Sequence, residues 1–222
     1  MDSKLQRVQS IIEKTFKDRK IVARSDNSSN EIFPVAINAT QGKALCDWIV
    51  KEEASQTIEV GLAWGLGALH ICEGLLMKGG ESSHHIALDP FQAVSFKNCA
   101  LQLLEEAGVS NLVEHLAEES QLVLPRFVTE NRRFDFAFVD GSHLFDRVFL
   151  DLIYLGRLVR PEGIIFADDY QASAVAKAVS FCVNNLGWRL EETGPSDQEH
   201  QWVVLRTVRE PIPRSYPHFV NF

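Results

Sequence analysis

The sequence predicts an α/β fold: a doubly wound, mostly parallel sheet behind an N-terminal helical cap. Three observations predict it. Short apolar runs alternate with helix-period stretches from residue 57 onward. Five of those runs end on a carboxylate, at intervals of about 30 residues, the length of one strand-helix unit. The final third then changes rhythm to a hairpin, so at least one strand must run antiparallel.

The cap comes first, over residues 1–55. Leu5, Val8, Ile11, Ile12 and Phe16 recur at helical spacing across residues 3–18 and give one apolar face. A Ser- and Asn-rich loop follows at Ser25 to Asn30, and Ala39 to Glu53 reads as a second helix with Ala44, Leu45, Trp48 and Ile49 on one side. The core, residues 56–210, begins with Thr57-Ile58 running into Glu59. His85 to Leu88 runs into Asp89, Leu112 to Leu116 is followed by Glu118 and Glu119, Phe134 to Val139 ends at Asp140, and Gly163 to Ala167 ends at Asp168-Asp169. Helices are expected over 67–78, 91–107, 118–128, 143–159 and 171–186, with Pro161 and Gly163 ending the fourth of these. Trp188 to Thr193 and Gln201 to Val208 read as the hairpin strands, joined by a loop opening Gly194-Pro195-Ser196-Asp197. A tail, 211–222, mixes Pro211, Pro213 and Pro217 with Tyr216, Phe219 and Phe222 in no regular period. It is expected to pack across the surface or onto a partner, and a homodimer is compatible with it.

Composition narrows the functional classes. The chain of 222 residues is 45% hydrophobic and 23% charged, as an ordinary globular protein is. A formal net charge of -8, with no basic stripe, argues against binding nucleic acid. Cys46, Cys72, Cys99 and Cys182 are widely spread and form no Cys-x-x-Cys pair, so they read as reduced, buried thiols. The start, Met1-Asp2-Ser3-Lys4, leads into a polar amphipathic stretch, and no apolar run nears the ~20 residues that span a membrane. The expected location is the cytoplasm.

In an open parallel sheet, ligands bind beyond the carboxyl ends of the strands. Five acidic strand ends therefore suit a ligand with hydroxyls and an ammonium group, and repel polyphosphate. The first turn reads Glu59-Val60-Gly61-Leu62-Ala63-Trp64-Gly65-Leu66-Gly67, where glycines allow a sharp turn and close approach to a ligand. The same spacing serves dinucleotide enzymes, but Glu59 is awkward beside a pyrophosphate. None of Tyr154, Tyr170 and Tyr216 has the lysine four residues on that a short-chain dehydrogenase uses.

Four stretches, Glu59 to Gly67, Leu88-Asp89, Phe134 to His143 and Gly163 to Tyr170, together resemble the class I S-adenosylmethionine-dependent methyltransferases. The nearest subgroup is the small O-methyltransferase-like set that includes the catechol and caffeoyl-CoA enzymes. Val139-Asp140-Gly141-Ser142-His143 is the most specific segment and the glycine loop the least. The resemblance implies a Rossmann-like methyltransferase fold with a seven-stranded sheet whose last strand is antiparallel. It implies S-adenosylmethionine held by Glu59, Gly61, Gly65, Gly67, Asp89, Glu119, Ser120 and Asp140. Glu59 and Gly61 would lie by the methionyl part, Asp89 by the ribose hydroxyls, and Glu119 with the Ser120 backbone near the adenine amino group. Asp89 as a helix N-cap is the competing reading.

Asp140, Asp168 and Asp169 would repel one another unless a cation joins them or some are protonated or paired. Oxygen ligands suit Mg²⁺ or Ca²⁺. The metal-dependent relatives carry Asp, Asp and Asn at these positions, so Asp169 replaces an amide with an acid. A metal there would lower the pKa of a substrate hydroxyl. The alternative is a hydrogen-bonded acidic edge with Asp169 capping the next helix. His143 stands where those relatives often carry a lysine, and could accept the hydroxyl proton near neutral pH. It could equally cap the following helix. Ser142 reads equally as a turn residue, and His84-His85 as surface residues. The expected function is methyl transfer to a small-molecule hydroxyl. The competing classes are an NAD(P)-dependent oxidoreductase and a non-catalytic binding protein on the same fold.

Overall fold

The computed structural model describes residues 3–80, 82–195 and 200–222. From β3 onward, seven strands hydrogen-bond in the order β5-β4-β3-β6-β7-β9-β8. They are β3 (Gln56–Val60), β4 (His84–Leu88), β5 (Val113–Leu116), β6 (Phe134–Val139), β7 (Val159–Ala167), β8 (Arg189–Thr193) and β9 (Val203–Arg206). Within this sheet the described pairings are parallel except those of β9, which runs antiparallel to both β7 and β8. The chain divides into two compact units, residues 1–119 and 120–222. No described helix is long and apolar enough to cross a membrane.

In the first unit, helix α1 (Ser3–Asp18) turns Val8, Ile12 and Thr15 inward, and a short antiparallel pair follows, β1 (Lys20–Val22) with β2 (Ser29–Glu31). Helix α2 (Ala39–Lys51) starts where the Asn38 side chain accepts the Gln41 amide at 2.9 Å, an ordinary N-cap. It meets α3 (Leu66–Met77) at close range: a Cβ added to Gly42 would lie 2.2 Å from the His70 ring. Ile58 on β3 and Ile86 on β4 pair in register and are wholly buried. Each such side chain contributes roughly 2–3 kcal/mol of hydrophobic stabilisation. The expected helix over 91–107 is shorter. Residues 90–97 form turns, Lys97 and Asn98 take left-handed backbone angles that a helix cannot continue through, and α4 spans Cys99–Ala107.

In the second unit, α5 (Ser120–Thr129), α6 (Phe145–Leu158) and α7 (Ser173–Leu186) accompany β6 to β9. Phe136, Phe138 and Phe166 fill its centre, with Phe138 edge-on to Phe166 at 5.7 Å. Pro161 and Gly163 do not separate helix from strand as expected. Helix α6 ends at Leu158 and β7 begins at once. The irregularity is absorbed as a register shift against β6. Strands β8 and β9 form the predicted antiparallel pair; Ser196-Asp197 of the connecting loop lie outside the described residues. The tail packs on α7: Asn185 donates to the Val220 carbonyl and accepts from its amide, both at 2.8 Å, and Phe222 sits edge-on to Phe181.

Helix α6 buries Asp151 almost completely, and its Oδ1 has no hydrogen-bond partner. Burial pushes this carboxyl up from 3.8 to about 6, against a Ser120 hydrogen bond and the Arg147 charge. The folded protein therefore holds this proton more tightly than the unfolded chain. The cost of ionising Asp151 is absent below about pH 4 and complete once pH has risen through the folded value. Asp151→Asn should raise stability at pH 7.5 by about 3 kcal/mol, two pKa units' worth, and by little at pH 4. Urea denaturation at the two pH values checks this; an equal gain at both, or a loss at pH 7.5, would refute the account.

Candidate active site

The β3–α3 turn is set by backbone chirality. Gly61 has φ +92° and Gly65 φ +86°, and a Cβ on Gly65 would approach the Ala100 backbone to 3.0 Å. Gly65 occupies the N-cap position of α3, and Gly67 lies buried in its first turn. The Gly61 amide donates to the Leu88 carbonyl at 2.9 Å, tying the turn to the end of β4.

Asp89, one residue beyond β4, holds this turn in shape. Its Oδ2 accepts from the Leu62 amide (3.2 Å), the Ala63 amide (2.9 Å) and Gln92 Nε2 (2.8 Å). Its Oδ1 accepts from the Phe91 amide (2.7 Å). Helix α4 begins ten residues later behind Asn98, so Asp89 is not its N-cap. His115 Nε2 lies 2.8 Å from the Asp89 carbonyl oxygen. Glu119 is exposed at the end of this unit.

Glu59 is 1% exposed, and neither of its carboxylate oxygens has a hydrogen-bond partner. His85, read as a surface residue from its place at the start of a strand, is wholly buried beside it. The register pairs Thr57 with His85, so Thr57, Glu59 and His85 share one face of the sheet. His85 Nε2 stands 3.2 Å from Glu59 Oε1, and its Nδ1 2.9 Å from Thr57 Oγ1. Burial pushes the Glu59 carboxyl up; the neighbouring His85 pulls the other way without overcoming it. The Trp64 indole N–H is also buried without a partner.

In the second unit the acidic strand ends meet two histidines. Asp169 Oδ2 lies 2.6 Å from His143 Nε2, while its Oδ1 accepts from Gln171 Nε2 at 2.7 Å. His200 Nδ1 stands 3.3 Å from Asp168 Oδ2 and 3.9 Å from Asp169 Oδ1. Two three-donor sets result, Asp140–His143–Asp169 and Asp168–Asp169–His200, each with donor atoms within 4.8 Å of one another. Asp140 and Asp168 thus fall in different sets that share Asp169. The hydrogen bond to Asp169 raises the His143 pKa. Burial would raise that of Asp169, but the His143 hydrogen bond and charge, with the Gln171 donor, bring it below the usual carboxylate range.

Neither residue caps a helix. Leu144 precedes α6 and Ala172 precedes α7, without side-chain caps. Ser142 is a turn residue whose hydroxyl accepts from the Leu144 amide at 3.3 Å. Ser120 is buried at the start of α5. Three residues were missed. Period-two alternation places His85 on the face of Glu59, and Gln92 sits at the i+3 position where a side chain commonly answers a carboxylate. His200 carries no local signal.

The strand order, the glycine turn and the acidic strand ends define the core of a class I methyltransferase. A family model described as a methyltransferase domain matches residues 58–170, half of the chain, and the chain belongs to that family. Solved structures share the fold. Cofactor-bound Rv0187 from MTB is 20% identical (TM-score 0.67; 95% of this chain and 91% of that one). An O-methyltransferase from Bacillus cereus in complex with SAH is 16% identical (TM-score 0.65; 93% and 91%). TomG from Streptomyces achromogenes, an O-methyltransferase involved in tomaymycin synthesis and solved with SAM, is 18% identical (TM-score 0.65; 94% and 91%). None of the curated proteins matches the chain.

The buried pair gives a direct test. His85→Leu leaves Glu59 and Thr57 buried beside an apolar group and should cost roughly 3 kcal/mol. Adding Glu59→Leu should recover part of that loss. A double-mutant cycle by urea denaturation measures the coupling, and strictly additive losses would show that the two side chains do not interact.

Proposed function

We propose that the chain transfers a methyl group from S-adenosylmethionine to a hydroxyl of a small molecule, in the cytoplasm. The observation that carries this reading is Glu59: a wholly buried carboxylate at the glycine turn, with both oxygens lacking a donor. A buried carboxylate whose one close neighbour, His85, is not aligned to donate to it is costly, and a ligand ammonium would answer it. The O-methyltransferases that share the fold, two of them solved with SAM or SAH, support the same assignment.

On this reading Glu59, Gly61, Gly65, Gly67, Asp89 and Glu119 of the first unit bind the cofactor. When bound, S-adenosylmethionine supplies an electrophilic methyl group. Glu59 takes the ammonium, and Asp89 keeps the turn in shape while its Oδ1 receives a ribose hydroxyl. His143 accepts the proton of the acceptor hydroxyl at Nδ1. Asp169, 2.6 Å from the other ring nitrogen, Nε2, fixes the ring and stabilises the cation that forms. The carboxylates around Asp169 could also hold a divalent ion, which supplies a Lewis acid when bound.

S-adenosylhomocysteine should bind saturably and raise the melting temperature; absence of both effects would sink the reading. Glu59→Gln should weaken that binding at least about tenfold, the loss of one charged contact, without lowering the melting temperature at pH 7.5. Unchanged affinity would remove Glu59 from the site. With an acceptor found in a panel of phenols and catechols, His143→Gln should lower kcat by roughly 100-fold while leaving S-adenosylhomocysteine affinity intact. A fall confined to KM would remove its role as base.

A further inference from the structure

We infer that the second unit holds a first-row transition ion of the Mn²⁺–Co²⁺–Zn²⁺ class, ligated by His200, Asp168 and Asp169, and discriminates against Mg²⁺ and Ca²⁺. This rests on reading that acidic edge as the acceptor side of a methyltransferase, and departs from the all-oxygen site that its three aspartates alone suggest.

The donor chemistry argues for it. Imidazole nitrogen suits zinc, iron, nickel, copper and their neighbours, whereas Mg²⁺ and Ca²⁺ take oxygen ligands. His200 Nδ1 lies 3.3 Å from Asp168 Oδ2 and 3.9 Å from Asp169 Oδ1. Two donors bound to one such ion, each at about 2.0–2.2 Å, stand no more than roughly 4.3 Å apart. Both separations are within that reach with little movement.

A second observation is independent of the clustering. The Asp168 side chain is 1% exposed, and its Oδ1 has no hydrogen-bond partner. An unanswered carboxylate oxygen at that depth is what a ligand would satisfy. The companion set, Asp140–His143–Asp169, is more exposed and leaves no such orphan oxygen at Asp140 or Asp169. His143 and Gln171 already occupy Asp169, one on each oxygen. Its Oδ1 lies 3.9 Å from His200 Nδ1 with acceptor capacity beyond the Gln171 bond, and His143 stays free of the ion as the proton acceptor.

His200 is also held in place. The next residue, Gln201, accepts from the Tyr170 amide at its carbonyl (2.7 Å) and donates its own amide to Gln171 Oε1 (2.9 Å). The chain on one side of His200 is therefore pinned to the turn that carries Asp168 and Asp169.

The test uses the full chain stripped with a chelator and titrated calorimetrically with Mg²⁺, Ca²⁺, Mn²⁺, Co²⁺ and Zn²⁺ in turn. Co²⁺ and Zn²⁺ should bind on the order of 100-fold tighter than Mg²⁺, with Mn²⁺ between them, and Co²⁺ should develop visible absorption bands of a nitrogen-oxygen site. His200→Gln should weaken Co²⁺ by roughly 10- to 100-fold and shift those bands. Asp168→Asn should weaken it comparably, and His143→Gln should change it little. Melting curves establish that each variant is folded. Binding of Mg²⁺ or Ca²⁺ as tight as that of Co²⁺, no binding of any ion, or loss in His143→Gln but not in His200→Gln would each overturn the proposal. S-adenosylhomocysteine is titrated separately on the metal-free protein. Its binding with no metal preference rejects the ion and spares the methyltransferase reading; selective Co²⁺ binding without it does the reverse.

Discussion

The first unit depends on one carboxylate. Asp89 gathers two backbone amides of the β3–α3 turn, one amide of its own loop and the Gln92 side chain. The Leu62 and Ala63 amides have no strand ladder to join, because the turn passes through positive φ at Gly61, Ala63 and Gly65. A carboxylate offers about four lone-pair sites. Oδ2 already receives three donors and Oδ1 one, so a ligand hydroxyl brought to Asp89 would meet Oδ1. The residue that shapes the turn can thus join in binding, but through one oxygen.

Two buried carboxylates illustrate why burial alone does not define function. Asp151 and Glu59 are both held above the usual carboxylate range, with desolvation the largest cause in each. Asp151 answers a neighbouring helix, where a hydrogen bond from Ser120 offsets part of the cost. Glu59 stands at a turn whose glycines let a ligand approach, with His85 close but not aligned to donate to it. The first is a local concession within a helical layer. The second is strain kept at a place where something can relieve it, which is where natural proteins tend to keep it.

Much of the fold was legible because buried parallel strands read as short apolar runs and helices keep their own period. The seven strands and the presence of an antiparallel one follow from those signals; that the last strand is the antiparallel one is what the family resemblance implies. The stretch from residue 91 to 98 was not legible as turns, since its apolar Phe91 and Val94 stand at the i, i+3 spacing of a helical face. What breaks the helix is the left-handed backbone at Lys97 and Asn98, a feature that Asn permits and does not announce. The acidic strand ends and His143 were visible; their other partners, His85, Gln92 and His200, were not. His85 looked like a strand's exposed beginning, whereas the register with Thr57 carries it into the interior opposite a hydroxyl.

His200 escaped sequence reading for a topological reason. A parallel strand enters a sheet at the edge opposite its ligand-facing end, so residues preceding it lie far from the site. An antiparallel strand reverses this. Val203, at the start of β9, pairs with Ala167, at the end of β7, so whatever precedes β9 arrives at the carboxyl edge beside Asp168 and Asp169. The strand that closes the sheet therefore has a chemical consequence. It is the element of the second unit whose beginning, and not its end, faces the acidic edge, and it brings an imidazole to carboxylates that the order of residues in the chain leaves more than 30 positions away.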